Sequence, residues 1–294
     1  MNVTKLLVVG VALLQCASAA AADAKPNIVF ILADDWGWGD LGRHGHPYLK
    51  TPHLDQLARD GTEFYQFTVA SGVCSPSRAA LMTGQFPARH GIHGHFATVE
   101  SHVKRGMPDW LDPKTVTLPR LLNKAGYATA HYGKWHLTNI MVPDAPLPLA
   151  YGYDDYGAFN CSGKQMPVHD DVPRAIKFIE KNAAINKPFF INLWIHEPHT
   201  PHYPRPEFLK KFARLKEPDQ VYAAVLAHAD ARIGELLQTL DRLKIADNTL
   251  VIFTSDNGPE NTGARRNVDD DSTGPGLGTF ASVGVTGGHR GRKR

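Results

Sequence analysis

Residues 27–35 read NIVFILADD, and this stretch decides the predicted fold. Positions 28 to 33 are apolar and partly β-branched, which is typical of a strand buried on both faces of a parallel sheet. Residues 189–195 (FFINLWI) and 249–254 (TLVIFT) have the same character, and residues 127–131 predict a shorter strand. We therefore expect these segments to lie in one sheet.

Helical segments are predicted between these strands. Pro52 and Gly61 stand at the start and just past the end of one helix, where these residues are commonly found. Residues 118–124 and 173–184 predict two more helices, and an apolar stripe at helical spacing runs through residues 221–243. This alternation predicts an α/β sandwich with a mostly parallel central sheet flanked by helices.

Four of the predicted strands run directly into polar residues. These residues are Asp34 and Asp35, Lys134 and His136, the segment from His196 to His199, and Asp256 and Asn257. In open α/β sheets, ligands bind beyond the carboxyl ends of the strands, which meet at one edge. The sequence therefore predicts a single polar site at that edge.

The acidic half of this predicted site offers only oxygen ligands, the kind that Ca²⁺ and Mg²⁺ prefer. A single Asp at a strand end is just as often a turn or helix cap. Adjacent Asp34 and Asp35 repel each other, however, and a divalent cation compensates both charges. The basic half comprises Arg78, Lys134, His136 and His196. A metal and several cationic side chains together fit a tetrahedral oxyanion, either sulfate or phosphate.

Cys74 lies at the start of the segment VCSPSRAALMTG, residues 73–84, whose second half predicts a helix. The free backbone N–H groups and the dipole at a helix start stabilise an anion, and Arg78 follows one turn later. From the residues alone, Cys74 is either a thiolate nucleophile or a buried, inert thiol. A disulfide with Cys161 is a third possibility.

The N-terminal segment predicts export. Residues 1–22 contain Lys5, the apolar run LLVVGVALL and a series of small residues, in the order of a secretory signal peptide. The apolar run is too short to span a bilayer. We expect a secreted or periplasmic protein without stable membrane insertion, whose mature domain covers residues 23–294. The net charge of +3 gives no indication of a nucleic-acid partner.

The segment CSPSR at positions 74–78 resembles the Cys-x-Pro-x-Arg signature of the type I sulfatases. The segments NIVFILADDWGWGDLG, GYATAHYGKWHL and TSDNG are also similar to that family, in the same order along the chain. The opening WGWGDLG and the stretch RHGIHGHF resemble the group of arylsulfatase A and N-acetylgalactosamine-6-sulfatase. The resemblance extends over residues 25–294.

This resemblance implies an alkaline-phosphatase-like fold and hydrolysis of sulfate esters on a sulfated carbohydrate, with an aryl sulfate as an artificial substrate. It implies that a maturation enzyme converts Cys74 to Cα-formylglycine, whose hydrate, a gem-diol, attacks sulfur. The implied Ca²⁺ ligands are Asp34, Asp35, Asp256, Asn257 and the modified Cys74. The remaining residues have implied roles as well. Arg78 would bind the hydrate, Lys134 and Lys293 would bind sulfate, and His136 would accept a proton. His196 would assist the leaving group as an acid or contact the sulfate, and Ser162 would provide a hydroxyl contact.

The resemblance also implies that the family continues beyond this sequence into a smaller C-terminal subdomain with an antiparallel sheet. We therefore expect residues 23–294 to be a catalytic domain that is incomplete at its C-terminus, although the basic end of the chain also fits a solvated tail. Two other functions stay open. One is a phosphonate monoester or phosphodiester hydrolase of the same superfamily, and the other is an exported protein that binds sulfated glycans without cleaving them.

Overall fold

A computed structural model describes residues 25–261 and 282–293, so the predicted signal peptide lies outside the described residues. The described chain contains a five-stranded sheet with the strand order β3-β2-β4-β1-β5. Its strands are β1 (Asn27–Asp34), β2 (Ala128–Lys134), β3 (Asp155–Phe159), β4 (Phe189–Pro198) and β5 (Thr249–Ser255). All neighbouring strands pair in parallel. The predicted parallel α/β fold is therefore confirmed.

Helices cover both faces of this sheet. They are α1 (Pro52–Asp60), α2 (Cys74–Thr83), α3 (Val99–Arg105), α4 (Leu118–Lys124), α5 (Asp171–Ala183), α6 (Pro206–Lys211) and α7 (Asp219–Arg242). Short 3₁₀ helices occur at Trp38–Asp40, Gly42–His44, Pro87–His90, Pro148–Tyr151 and Ala246–Asn248. Among the residues that the structure describes, no helix has both the length and the apolar character needed to cross a membrane.

The core consists of two apolar clusters, one on each face of the sheet. Alternate residues of a strand point to opposite faces, so Val29 and Ile31 of β1 pack with α1, α5 and α7. Leu32 points the other way and packs in the cluster that contains Ala79 and Met82 of α2. The molecule therefore has three layers, and α2 lies on the face opposite to the long helix α7.

Glycine at position 133 permits a close approach between two central strands. Gly133 has φ of 114°, and a Cβ atom there would lie 1.9 Å from the carbonyl oxygen of Trp194 on β4. Any other residue would therefore push β2 away from β4. The next residue is Lys134, the last residue of β2, so this glycine sets the position from which the lysine reaches the site.

Candidate active site

Carboxylates from two neighbouring strands meet at the edge of the sheet. Asp34 ends β1, and Asp256 directly follows β5, its backbone N–H donating to the carbonyl of Ala33 at 3.0 Å. The backbone N–H of Asp35 donates to Asp256 Oδ1 at 3.2 Å, and Asn257 Nδ2 donates to Asp35 Oδ1 at 2.6 Å. The parallel pairing of β1 with β5 thus brings together residues more than two hundred positions apart, and all four side chains are buried.

Three cations contact these carboxylates. Lys134 Nζ lies 2.7 Å from Asp34 Oδ2, and Lys293 Nζ lies 2.8 Å from Asp35 Oδ2. Arg78 is fully buried and donates through Nε and Nη2 to Asp256 Oδ2, at 3.1 and 2.7 Å. Its Nη1 donates to the backbone carbonyl of Lys134 at 3.0 Å, which links α2 to the end of β2.

Burial favours the neutral form of both Asp34 and Asp256, but the neighbouring charges shift their pKa values in different directions. Burial opposes the ionisation of Asp34, but the charges of Lys134, His199 and Arg78 outweigh it and hold the pKa of this carboxyl well below its usual value. Burial and the charge of Asp34 raise the pKa of Asp256 to about 7, against the attraction of Arg78. The three buried aspartates therefore compete for the available positive charge.

The acidic cluster has the donor chemistry of a site for a hard cation. One ligand atom each from Asp34, Asp35, Asp256 and Cys74 lies within 4.8 Å of the others. Asn257 Oδ1 is buried and accepts no hydrogen bond from the residues that the structure describes. A buried carbonyl oxygen normally has a hydrogen-bond donor or a metal ion as its partner. A cation that is coordinated by oxygens would be such a partner. The residues therefore fit a Ca²⁺ or Mg²⁺ ion.

Cys74 is the first residue of α2, and its side chain points at this cluster. Val73 precedes it as the N-cap without a capping side chain, and Gly84 ends α2 with φ of 65°. Cys74 Sγ lies 3.5 Å from Asp34 Oδ1, and the residue is 1% exposed. The helix start thus places the side chain at position 74 between its own N-terminal N–H groups and the carboxylates.

The surroundings of Cys74 argue against a thiolate. Burial raises the pKa of the Cys74 thiol well above its usual value, and the negative charges of Asp256 and Asp34 act in the same direction, against Lys293. Cys161 is also a free and buried thiol, so the possible disulfide between these two cysteines is absent. The thiol at position 74 is therefore uncharged at neutral pH and poorly suited to act as the nucleophile itself.

His136 lies just past the end of β2 and is held by the backbone of residues 96–97. Its Nε2–H donates to the carbonyl of Phe96 at 3.1 Å, and Asn139 Nδ2 donates to the same oxygen. The tautomer that donates from Nε2 carries its lone pair on Nδ1. The N–H of Phe96 in turn donates to Ser75 Oγ at 3.0 Å, so one residue connects His136 to the neighbour of Cys74.

His102 binds the backbone of Ala97, the residue that follows Phe96. The N–H of Ala97 donates to His102 Nε2 at 2.6 Å, and His102 Nδ1 contacts Asp109 Oδ1 at 2.7 Å. The acceptor role of Nε2 places the ring proton on Nδ1, facing the carboxylate. Asp109, His102 and the 96–97 backbone therefore form a chain of contacts that leads to His136.

His199, rather than His196, is the histidine that contacts the carboxylates. His199 Nε2 lies 3.8 Å from Asp35 Oδ2, whereas His196 Nε2 contacts the carbonyl of Pro201 at 3.0 Å. Burial, together with the charges of Lys134 and Lys293, lowers the pKa of His199 to about 4. β4 continues to Pro198, so His199 is the first residue past its end, and the role that the resemblance implies for His196 stays a prediction.

The other two predicted substrate contacts differ in position. Lys293 approaches the site from the far end of the sequence and also lies 4.0 Å from Glu260. Ser162 is half-buried and donates to the carbonyl of Ala145 at 2.9 Å. Within residues 25–261 and 282–293, no hydrogen bond or ion pair joins Ser162 to the acidic cluster, so the structure brings Lys293 into the site but not Ser162.

The arrangement as a whole is suited to an anion with tetrahedral oxygens. A metal held by the acidic cluster, together with Lys134, Lys293 and Arg78, would surround such an anion with positive charge, and His136 and His199 would supply sites for proton transfer. A family model described as Sulfatase matches residues 26–279 of the chain. The chain belongs to the sulfatase family.

Curated sulfatases share about a third of their residues with this chain. N-acetylgalactosamine-6-sulfatase of Canis lupus familiaris is 35% identical over 282 residues, 82% of this chain and 51% of that protein. Human arylsulfatase A is 33% identical over 84% of this chain and 55% of its own length. The ulvan-active sulfatase of Formosa agariphila is 32% identical over 80% and 50%. The chain thus spans about half the length of the curated relatives it matches.

Two solved structures of other proteins show the same fold. Ps i-CgsB, crystallised in complex with k-i-k-neocarrahexaose, superposes with a TM-score of 0.69 at 30% identity, covering 80% of this chain and 59% of that one. A phosphonate monoester hydrolase of Agrobacterium radiobacter superposes with a TM-score of 0.55 at 18% identity, over 79% of this chain and 62% of that one, which shows a common fold alone.

Proposed function

We propose that this chain hydrolyses sulfate esters of a carbohydrate and that a side chain formed from Cys74 is the nucleophile. The observation that carries the proposal is the position of Cys74 Sγ, buried 3.5 Å from Asp34 among three carboxylates and next to three cations. An uncharged thiol in this position is a poor nucleophile, and attack by sulfur on a sulfate would leave an S-sulfonated cysteine without an easy route to release. Conversion of Cys74 to Cα-formylglycine, as in type I sulfatases, removes this difficulty.

Asp34, Asp35, Asp256 and Asn257 would hold Ca²⁺, with the oxygen of the modified residue 74 beside them. The ion would supply positive charge to the sulfate oxygens and to the nucleophilic oxygen. The modified side chain would supply a hydrated aldehyde. Attack by one of its hydroxyl oxygens on sulfur would break the S–O bond of the ester and release the alcohol, and loss of the proton of the second hydroxyl would then re-form the aldehyde and release sulfate.

The remaining residues bind charge and move protons. Arg78 lies one helical turn from Cys74 and would hold the oxygen of the modified residue, because its guanidinium is fixed by Asp256. Lys134 and Lys293 would bind the sulfate oxygens by rotating from their present carboxylate partners. His136 would accept a proton at Nδ1. The negative charge of a bound sulfate ester would raise the pKa of His199 from its low value, and the protonated ring would then donate to the leaving oxygen of the ester.

The proposed substrate class follows the named substrates of the relatives, which include N-acetylgalactosamine-6-sulfate and ulvan. A secretory signal over residues 1–22 would place the protein in the periplasm or the medium, where sulfated polysaccharides occur. The proposal also requires an oxidising maturation enzyme that acts on Cys74.

Peptide mass spectrometry and kinetics together test the proposal. The tryptic peptide that ends at Arg78, from chain co-expressed with a formylglycine-generating enzyme, should be lighter by the difference between CH₂SH and CHO. Cys74→Ala should lower the hydrolysis of an aryl sulfate by at least about 10³-fold, the scale of loss when a nucleophile is removed. Cys161→Ala, at the other buried cysteine, is the matched control and should keep its activity.

Three outcomes would contradict the proposal. An unmodified peptide from a host whose maturation enzyme modifies a control sulfatase would point to a glycan-binding protein. Hydrolysis by Cys74→Ala at the wild-type rate would exclude residue 74 as the nucleophile. A phosphodiester or phosphonate monoester cleaved much faster than any sulfate ester would assign the chain to the other hydrolase class.

A further inference from the structure

A second group of ligating side chains lies on the opposite face of β4 from His196. Successive strand residues point to opposite faces, so Glu197 points towards α5 and α7. There it meets His228 of α7 and His169, which lies just before α5. One ligand atom from each of His169, Glu197 and His228 lies within 4.8 Å of the others.

Two atoms of this group are buried and unpaired. Glu197 is 2% exposed and His228 is 9% exposed. Glu197 Oε2 and His228 Nδ1 have no hydrogen-bond partner among the residues that the structure describes. Buried polar atoms without partners are uncommon in folded proteins, and each calls for an explanation such as an ion.

The contacts of Glu197 leave room for a further positive charge. Its Oε1 lies 2.8 Å from His169 Nε2 and 3.1 Å from Arg232 Nη1. Arg232 also contacts Asp171, so one guanidinium serves two buried carboxylates. With both imidazoles neutral, the group carries one uncompensated negative charge in the interior, where such a charge is costly.

We propose that His169, Glu197 and His228 bind a divalent transition-metal ion, with Zn²⁺ as the best-matched metal, at a site separate from the acidic cluster. Two imidazoles and one carboxylate are a common protein donor set for Zn²⁺ and its neighbours. Ca²⁺ favours oxygen ligands and would not compete well for two imidazole nitrogens. The two sites therefore differ in the kind of metal they select.

The proposed ion has a structural role. It would connect the end of β4 with α7 and with the approach to α5, and so would hold together side chains from three successive parts of the fold. His199 follows directly after β4, so the ion would brace the strand end from which this histidine reaches Asp35. Its absence would loosen that end without removing any group that we place in the acidic cluster.

Metal titration of the full chain tests this site independently of sulfatase activity. Ca²⁺ in excess first fills the acidic cluster, and Zn²⁺ retained after desalting is then counted by elemental analysis. We expect one Zn²⁺ per chain, and a visible absorption band when Co²⁺ is used in its place. His228→Ala should weaken Co²⁺ binding by about 100-fold, the upper end of the loss seen even for residues that only support metal ligands. His93→Ala, an exposed histidine, is the control and should bind normally.

Glu197→Gln keeps the size of the side chain and serves if His228→Ala does not fold, as judged by circular dichroism. It should also lose most of the Co²⁺ affinity. Retention of no Zn²⁺ by the unaltered chain would overturn the proposal. So would wild-type affinity in His228→Ala or Glu197→Gln, because the ion would then be bound elsewhere, for example at Cys74 and Asp34.

Discussion

His196 and His199 lie three residues apart, yet the fold gives them different surroundings. His196 is still part of β4, and its ring contacts the carbonyl of Pro201 and lies edge-on to Phe159. His199 follows the strand and lies 3.8 Å from Asp35. Because only the second histidine reaches the carboxylates, it is the better candidate for proton transfer to the leaving group.

The roles of His196 and His199 can be distinguished by comparing substrates whose leaving groups differ in acidity. His199→Ala should lower kcat for a sulfated sugar by about 10² to 10⁴-fold, the usual contribution of a general acid. The same variant should lose much less activity on an aryl sulfate with an acidic phenol, because that leaving group needs no proton. His196→Ala is the matched comparison and should show a smaller loss that is equal for both substrates. A larger and substrate-dependent loss in His196→Ala would reverse the assignment.

Residue chemistry made most of this site predictable. Asp34, Asp35, Asp256 and Asn257 come together because parallel strands end at one edge, which hydrophobic runs in the sequence already indicate. Two features of the site depend on contacts between residues that are far apart in the sequence. The end of β4 depends on pairing with β1, which continues through Asp34 and Pro198, and the contact of Lys293 with Asp35 spans almost the whole chain. The proposed roles of all these residues stay predictions.

Helix α3 illustrates how an element remote from the sheet can support the site. Thr98 caps α3 by accepting the N–H of Ser101, and His102 then lies one turn in, buried against the 96–97 backbone. The carbonyl of Phe96 accepts the Nε2–H of His136. The orientation of His136 therefore depends on a helix that provides no group to the acidic cluster.

Removal of the His102 imidazole should lower kcat by about 10-fold or more and leave KM nearly unchanged, because a small displacement of a catalytic group is costly. Lys104→Ala, on the exposed face of α3, should have no effect. A double-mutant cycle with His136→Ala gives the sharper result. If His102 acts through His136, its replacement costs little activity once His136 is gone, whereas additive losses would indicate a general effect on folding.

β2 carries a buried histidine that makes the fold sensitive to acid. His131 lies edge-on to Trp135 and Trp194, and burial together with the charge of Arg78 lowers its pKa to about 3. In the unfolded chain the same group titrates near its usual value of 6.5. Below that value the unfolded chain binds a proton that the folded chain does not, so stability falls as the pH falls.

This group alone should remove about 2 kcal/mol of unfolding free energy between about pH 6.5 and pH 5. His131→Leu, which replaces the imidazole by an apolar side chain of similar size, should flatten the dependence over that interval. Urea midpoints at the two pH values measure the effect, with His93→Leu as an exposed control. An equal pH dependence in wild type and His131→Leu would assign the acid sensitivity to other groups.

The elements that sequence patterns missed are the short ones. β3 (Asp155–Phe159) has only five residues and contains a glycine, so its periodicity is too brief to stand out. α3 has seven residues with several charged side chains and no long apolar stripe. Both elements depend on tertiary pairing, β3 with β2 and α3 with the 96–97 backbone, which a local pattern does not contain.

At the scale of the whole molecule, the acidic cluster connects β1, the end of β5, the start of α2 and the segment around Lys293. A bound cation would therefore stabilise the fold as well as the site. Ca²⁺ at about 100 times its Kd should add about 2.7 kcal/mol of stability by mass action. The apparent Tm should fall on addition of EGTA and recover when Ca²⁺ is restored.

Asp35→Asn should lose most of this response to Ca²⁺, whereas Asp241→Asn, at an exposed aspartate of α7, should keep it. Mg²⁺ should restore less stability than Ca²⁺, because it accepts a narrower range of geometries and gives up its waters reluctantly. A Tm that is insensitive to EGTA and to both ions would argue against a resident hard cation.

The burial of Cys74 sets an order of events in the cell. With 1% of its surface accessible, the residue at position 74 is beyond the reach of another protein once the chain has folded. The maturation enzyme that we propose would therefore need an extended chain, and it would have to act on Cys74 before folding is complete. Under this proposal, slower folding would leave more time for oxidation and would raise the fraction of modified chains.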